Sequence, residues 1–140
     1  MGRKNHTLGE VQRQDLTRMI TSALREETRV LFAFLYGSFL DGTSFRDIDL
    51  GVFIQDTPAI DFWEYECMLS QKIEETLNHR FPVETKIINY APFSFTYHVI
   101  RGRLLFVCDE DVLANFMVSV ARNYLDMAPL RRKYILEAMA

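Results

Sequence analysis

Apolar and polar positions follow two different periods along this chain, and the switches between them outline its elements. Residues 8–27 carry Val11, Leu16, Met19, Ile20 and Ala23 near a helical spacing among Arg, Gln and Glu, which predicts a first helix. Val30 to Tyr36 is a continuous apolar run ended by Gly37, the pattern of a strand buried on both faces. From Asp47 to Ile54 the period is two. Ile48, Leu50, Val52 and Ile54 share one face of this second strand, and Asp47, Asp49, Gly51 and Phe53 share the other. Thr57-Pro58 interrupts the chain, and Asp61 to His79 predicts an amphipathic helix with Phe62, Tyr65, Leu69, Ile73 and Leu77 on one stripe.

Pro82 to Ile88 is a third strand, rich in β-branched residues. Pro92 opens a short helix that stops at Gly102, the residue type favoured just past a helix end, and Arg103 to Val107 forms a fourth strand. Asp109, Glu110 and Asp111 then precede the periodic residues Val112, Phe116, Val120 and Tyr124, where acids complement a helix dipole. Pro129 separates a last helical segment ending at Met139.

The resulting order, α-β-β-α-β-α-β-α-α, is that of an α/β protein with a mixed sheet of about four strands. The loop between the first two strands is too short for a crossover helix, so that pair should run antiparallel. A length of 140 residues suits one domain over 1–140, with a core at about 8–127 and a helical extension at 128–140. The longest strongly apolar stretch, Val30 to Tyr36, is far too short to span a bilayer. The amino-terminal charges are not followed by the apolar core of a secretory signal. The expectation is a soluble cytoplasmic protein with no membrane association.

Charge narrows the partners. Sixteen basic against nineteen acidic residues leave a net charge of −3, which argues against direct nucleic-acid binding. Cys67 and Cys108 lack metal-type spacing and sit among apolar neighbours, so both are expected to be buried, reduced thiols. His6, His79 and His98 are scattered and form no zinc pattern. In the terminal third, Leu130, Tyr134 and Ile135 lie beside Arg131, Arg132 and Lys133, a mixture suited to a protein partner or to self-association.

Candidate chemistry concentrates between Leu35 and Leu50. Gly37, Gly42 and Ser44 echo a phosphate-binding P-loop, but Thr43 occupies the lysine position and a strand follows where a P-loop feeds a helix. Gly37 and Gly42 could alternatively shape a plain hairpin loop. Asp47 and Asp49, however, share one face at the head of a strand whose alternate positions are core. Like charges at such a place are costly unless a cation joins them. All-oxygen ligands suit Mg²⁺, which usually binds one or two carboxylates plus substrate phosphates. Gly37 permits close backbone approach to a triphosphate, and Ser38 offers a hydroxyl and an N–H. Two-metal chemistry usually takes a further carboxylate from a neighbouring strand, and Glu84 is the best-placed candidate.

Gly-Ser, a short loop, Asp-x-Asp and a later strand carboxylate resemble the motif set of nucleotidyltransferases with a DNA polymerase β-like palm. With the run Val83 to Pro92 and the run Tyr97 to Phe106, the chain resembles the minimal nucleotidyltransferase (MNT) family over roughly residues 8–127. The resemblance implies a palm-like α/β fold and an antitoxin partnered with a HEPN-domain ribonuclease toxin. It also implies transfer of AMP from ATP, with Mg²⁺ (two ions), onto a toxin tyrosine. Gly37 and Ser38 then match triphosphate-binding positions, Asp47 and Asp49 match metal ligands, and Glu84 matches the third catalytic carboxylate and metal ligand. Two departures stand out. Eight residues separate Ser38 from Asp47, two fewer than the commoner family pattern, and Glu84 stands where Asp is usual. Displacement of a ligand by about 1 Å can cost around 100-fold in rate, so a non-catalytic antitoxin that binds its toxin is the alternative. A small-molecule nucleotidyltransferase is the third, although little chain remains for a second substrate-binding domain.

Overall fold

The computed structural model describes the backbone of residues 5–139 and the side chains of residues 5–125. Four strands form the main sheet: β2 (Val30–Tyr36), β4 (Ile48–Ile54), β5 (Val83–Ile87) and β6 (Arg103–Val107). Their spatial order is β5-β4-β2-β6, with β4 and β5 parallel and the other neighbours antiparallel. The helices are α1 (Glu10–Arg25), the single turn α2 (Ser38–Asp41), α3 (Phe62–Thr76), α4 (Phe93–Ile100) and α5 (Glu110–Met139). A short ribbon pairs β1 (His6–Thr7) with β3 (Ser44–Phe45). The α/β class, the four main strands and the antiparallel first pair are as the periodicity predicts. The pieces β1, α2 and β3 are too short for any period to reveal.

Alternation along the strands divides the core into two layers. Leu35, Ile48, Leu50, Val52 and Ile54 face α1 and α3, meeting Leu16, Ile20, Leu24, Leu69 and Ile73, all fully or almost fully buried. Phe32, Phe34 and Tyr36 face the other way, packing with Val99 of α4 and Phe116 of α5. Phe32 stacks on Phe53 at 4.9 Å, and Phe116 tilts against both rings at 5.5 and 5.3 Å, which pins the start of α5 to the sheet. Burying each such side chain is worth about 1.5–3 kcal/mol, so both layers resist slippage of strand register.

Caps set the helix starts. Asp61 accepts from the Glu64 amide at 3.0 Å, and Asp109 accepts from the Val112 amide at 3.1 Å. Asp109 is therefore a helix cap, as expected of that acidic run. The outer edge of β5 is closed by α3. Glu74, Ser70 and Glu66 accept from the amides of Val83, Thr85 and Ile87 at 2.8, 3.0 and 2.7 Å. Four helical residues rise about 6 Å and two strand residues about 6.6 Å, so this four-residue spacing keeps step with the edge.

Three expectations need correction. Pro129 does not separate two helices: α5 runs through it without interruption. A proline removes only one donor, here the one that would meet the Leu125 carbonyl, and the ladder on either side remains. Cys67 and Cys108 are exposed, not buried. Cys67 precedes apolar neighbours in sequence but lies about 200° round the helix from Leu69, and Cys108 sits in the turn after β6. Val11 is 72% exposed because five residues set it about 140° off the stripe that Leu16 begins. Gly102 does follow the end of α4 and its cap residue Arg101, as expected, although among the described glycines only Gly37 has positive φ. The side chains of the apolar and basic group from Leu130 to Ile135 lie outside the described residues.

Close approach is what requires glycine at 102. A Cβ there would overlap the Leu35 carbonyl oxygen and meet the Val99 carbonyl oxygen at 3.1 Å. Gly102→Ala should therefore cost roughly 2–3 kcal/mol through overpacking of α4 and β6 on β2. Urea denaturation checks this, and an unchanged midpoint would contradict the packing account.

Candidate functional site

The strand register assembles the acidic residues. Tyr36, the last residue of β2, pairs with Asp49 of β4, and Asp49 pairs with Glu84 of β5. Paired residues on adjacent strands project from the same face. Asp47 precedes β4 and lies two residues from Asp49, on that same face. One carboxylate oxygen from each of Asp47, Asp49 and Glu84 lies within 4.8 Å of the others. The extra methylene of Glu84 does not remove it from the group. Glu84 also carries an ion pair, with Lys86 at 3.4 Å, both side chains about half exposed.

Gly37 joins this group from the end of β2. Its φ of 85° is a left-handed conformation that a side chain would strain. A Cβ at this position would also collide with the Asp49 carboxylate, so glycine is what lets the backbone lie against that acid. The chain then turns into α2, whose first residue is the exposed Ser38; the amides of Leu40 and Asp41 both return to the Gly37 carbonyl at 3.1 Å. Phe39 and Phe45 anchor the loop from below, buried and edge-to-face at 4.8 Å.

Arg13 of α1 is the residue that sequence reading missed. Its guanidinium donates to the carbonyl oxygens of Phe39 and Thr43, the latter at 2.8 Å, and its Nε donates to that of Leu8 at 3.3 Å. It also lies over the rings of Phe39 and Phe45 at 5.2 and 5.3 Å. One cation thus satisfies carbonyls on both sides of the loop. Nothing local marks this arginine, because its partners lie 26 and 30 residues away.

Two further bases stand on the other side of Gly37. A cavity of about 280 Å³ is lined by Tyr36, Gly37, Leu40, Asp41, His98 and Arg101, with Gly102 behind. His98 meets the Tyr36 ring edge-on at 5.6 Å, and Arg101 lies over the Tyr97 ring at 5.7 Å. Their proximity to Gly37 follows from the pairing of β6 with β2, which periodicity alone does not reveal. The acids are felt here too. The Tyr36 hydroxyl is pushed well above the usual tyrosine range, first by burial and then by Asp49, Glu84, Asp47 and Glu66.

A left-handed glycine that opens onto a carboxylate cluster at one end of a mixed sheet is the arrangement of a nucleotidyltransferase palm. The chain belongs to the polymerase beta nucleotidyltransferase family, which it matches over residues 18–111. Among solved structures it is similar to a Shewanella oneidensis complex of a tri-AMPylated HEPN toxin with MNT antitoxin. That likeness has 22% identity, a TM-score of 0.66, and covers 91% of this chain and 99% of the other. The MntA–HepT toxin–antitoxin structure gives 22% identity, a TM-score of 0.65 and the same coverages of 91% and 99%. A toxin–antitoxin structure with AMP-PNP gives 26% identity, a TM-score of 0.64, and coverages of 89% and 98%. No curated protein sequence matches the chain. The resemblance to MNT antitoxins and the palm-like fold are therefore borne out.

Replacing Arg13 by Met keeps the stem of the side chain and removes every donor. Hydrogen bonds to a charged group are worth about 1.5–3 kcal/mol each, so the loss should be at least about 2 kcal/mol in urea denaturation. Wild-type stability in the variant would show that the loop holds its shape without the arginine.

Proposed function

We propose that this protein is an antitoxin that transfers AMP from ATP to a hydroxyl of a HEPN-domain toxin, a tyrosine for preference, in the cytoplasm. The observation that carries this reading is the carboxylate group Asp47, Asp49 and Glu84 set against the Gly37 backbone. The family supports transfer chemistry, and the similar complexes with HEPN toxins support the partner. The AMP-PNP complex of a related toxin–antitoxin pair supports an adenine nucleotide as donor.

Three convergent carboxylates with hard oxygen donors fit Mg²⁺, and Asp47, Asp49 and Glu84 are the residues that would hold it. Bound there, the metal would supply charge neutralisation at the phosphates and a more acidic incoming hydroxyl. The chain's own residues do the rest. Gly37 leaves its backbone open to a phosphate, and Ser38 at the start of α2 offers a hydroxyl and an amide. Arg101 brings positive charge, and His98 ring nitrogens, to the cavity beside Gly37, where the leaving pyrophosphate needs them. A bond forms from the acceptor oxygen to the α-phosphorus, the bond to the β-phosphate oxygen breaks, and the acceptor proton is released. The palm acts mainly by positioning and by stabilising the charge that shifts.

One contact favours a competing reading, a non-catalytic antitoxin that neutralises by capture. Lys86 already occupies Glu84, which partly offsets the charge a cation would balance. The two readings separate at Glu84. In the enzyme, Glu84→Gln keeps the shape and loses the charge, so transfer of labelled AMP to purified toxin should fall by 100-fold or more while toxin binding survives. Glu84→Asp should also fall below wild type, because the shorter side chain withdraws its oxygen from the group. Equal, near-zero transfer in wild type and Glu84→Gln, with binding intact in both, would replace the enzymatic reading with capture.

A further inference from the structure

On the opposite face of the sheet from the carboxylates, α1 and the edge strand β6 border a groove of about 450 Å³. Arg18 and Arg25 enter it from α1 and Arg103 from the first residue of β6, joined by Gln14 and Ser22. Thr17 and Thr21 complete the lining, and their hydroxyls are committed to the carbonyls of Arg13 and Thr17 at 2.8 Å each. Among the described residues, no acidic side chain and no aromatic ring lines the groove. In a chain of net charge −3, a groove with three arginines in its lining is a local excess of positive charge.

Pairing inside the protein leaves most of that charge available. Among the described residues, neither Arg25 nor Arg103 has a carboxylate partner. Arg18 meets Asp15 at 3.4 Å, but both side chains are mostly exposed, at 74% and 56%, where such a pair is worth little. Arg25 is braced instead over the buried Phe106 ring at 5.4 Å, which restricts its fork without using its donors. Arg18 and Arg25 are seven residues apart, about 10.5 Å along the helix axis, so they reach inward from the two ends of the groove.

We propose that this groove between α1 and β6 binds a phosphate chain, two or three linked phosphates gripped by Arg18, Arg25 and Arg103. Guanidinium forks match phosphate oxygens bidentately, and the absence of apolar walls leaves the charged chain as the part that is recognised. A free polyphosphate and a nucleic-acid backbone share this chemistry. The site is separate from the nucleotide cavity at Gly37, and it stands whether or not the protein transfers AMP.

Calorimetric titration of the full chain with sodium tripolyphosphate in EDTA tests the proposal with the metal-dependent site silenced. Wild type should bind, and Arg25→Gln with Arg103→Gln should weaken binding tenfold or more. Arg122→Gln removes the same unit of charge from the exposed side of α5 and should change affinity less than about twofold. If the double variant fails to fold because Phe106 loses its cover, Arg103→Gln alone carries the test, with a loss of several-fold expected. No binding by wild type, an equal loss with Arg122→Gln, or binding that follows Arg101→Gln would each overturn the site. Single-stranded RNA in parallel identifies the source. RNA bound with the same arginine dependence makes it a nucleic-acid backbone, and tripolyphosphate without RNA makes it a small molecule. A glutamate-rich peptide bound in preference to both would overturn the phosphate assignment.

Discussion

Three carboxylates confined within 4.8 Å of one another repel, and the rest of this structure is arranged so that they cannot move apart. The Lys86 ion pair and solvent moderate that repulsion at the half-exposed Glu84. The register of β4 against β5 imposes the crowding, and the two core layers hold the register. The edge ladder from Glu66, Ser70 and Glu74 then fixes β5, and Glu84 with it, against the neighbouring strand. A cation bound among the three carboxylates would balance the negative charge that this register gathers.

The two faces of the sheet divide the work. The α1 and α3 face is mainly aliphatic at its centre, with Phe39, Phe45, Phe81 and Phe106 completing it, and it fixes where the strands lie. The α4 and α5 face is aromatic, and its uncovered end carries the acids, the left-handed glycine and the bases His98 and Arg101. Arg13 connects the two, reaching from the structural helix to the carbonyls of the functional loop. That link makes the shortened loop between Ser38 and Asp47 a defined object. Its aromatic residues Phe39 and Phe45 are part of the core, and its polar edge is clamped.

Much of this was legible in the sequence, for identifiable reasons. Strands β2 and β4 announce themselves because one is buried on both faces and the other alternates cleanly. The alternation in β4 is also what puts Asp47 and Asp49 together. Glu84 required one more inference, that its strand lies beside β4, and the resemblance to the MNT family supplied it. What stayed hidden depends on contacts distant in sequence. Arg13, His98 and Arg101 reach the site only through the packing of α1 on the loop and the pairing of β6 with β2. The exposed cysteines are the opposite case, misleading because sequence neighbours need not share a face: Cys67 lies off the buried side of α3, and Cys108 falls in the turn after β6. Pro129 was read as a break because local rules weigh a lost hydrogen bond more heavily than the long ladder around it.

The central claim is that the acidic cluster holds a divalent cation together with a nucleotide. Electron paramagnetic resonance of free Mn²⁺, titrated against the protein with a non-hydrolysable ATP analogue, measures that directly and does not depend on a toxin or on turnover. Wild type should remove Mn²⁺ from solution in proportion to protein, and Asp47→Asn with Asp49→Asn, still folded by circular dichroism, should not. Identical free Mn²⁺ for wild type and the double variant would contradict the claim, leaving the three carboxylates a crowded surface with no ion to hold.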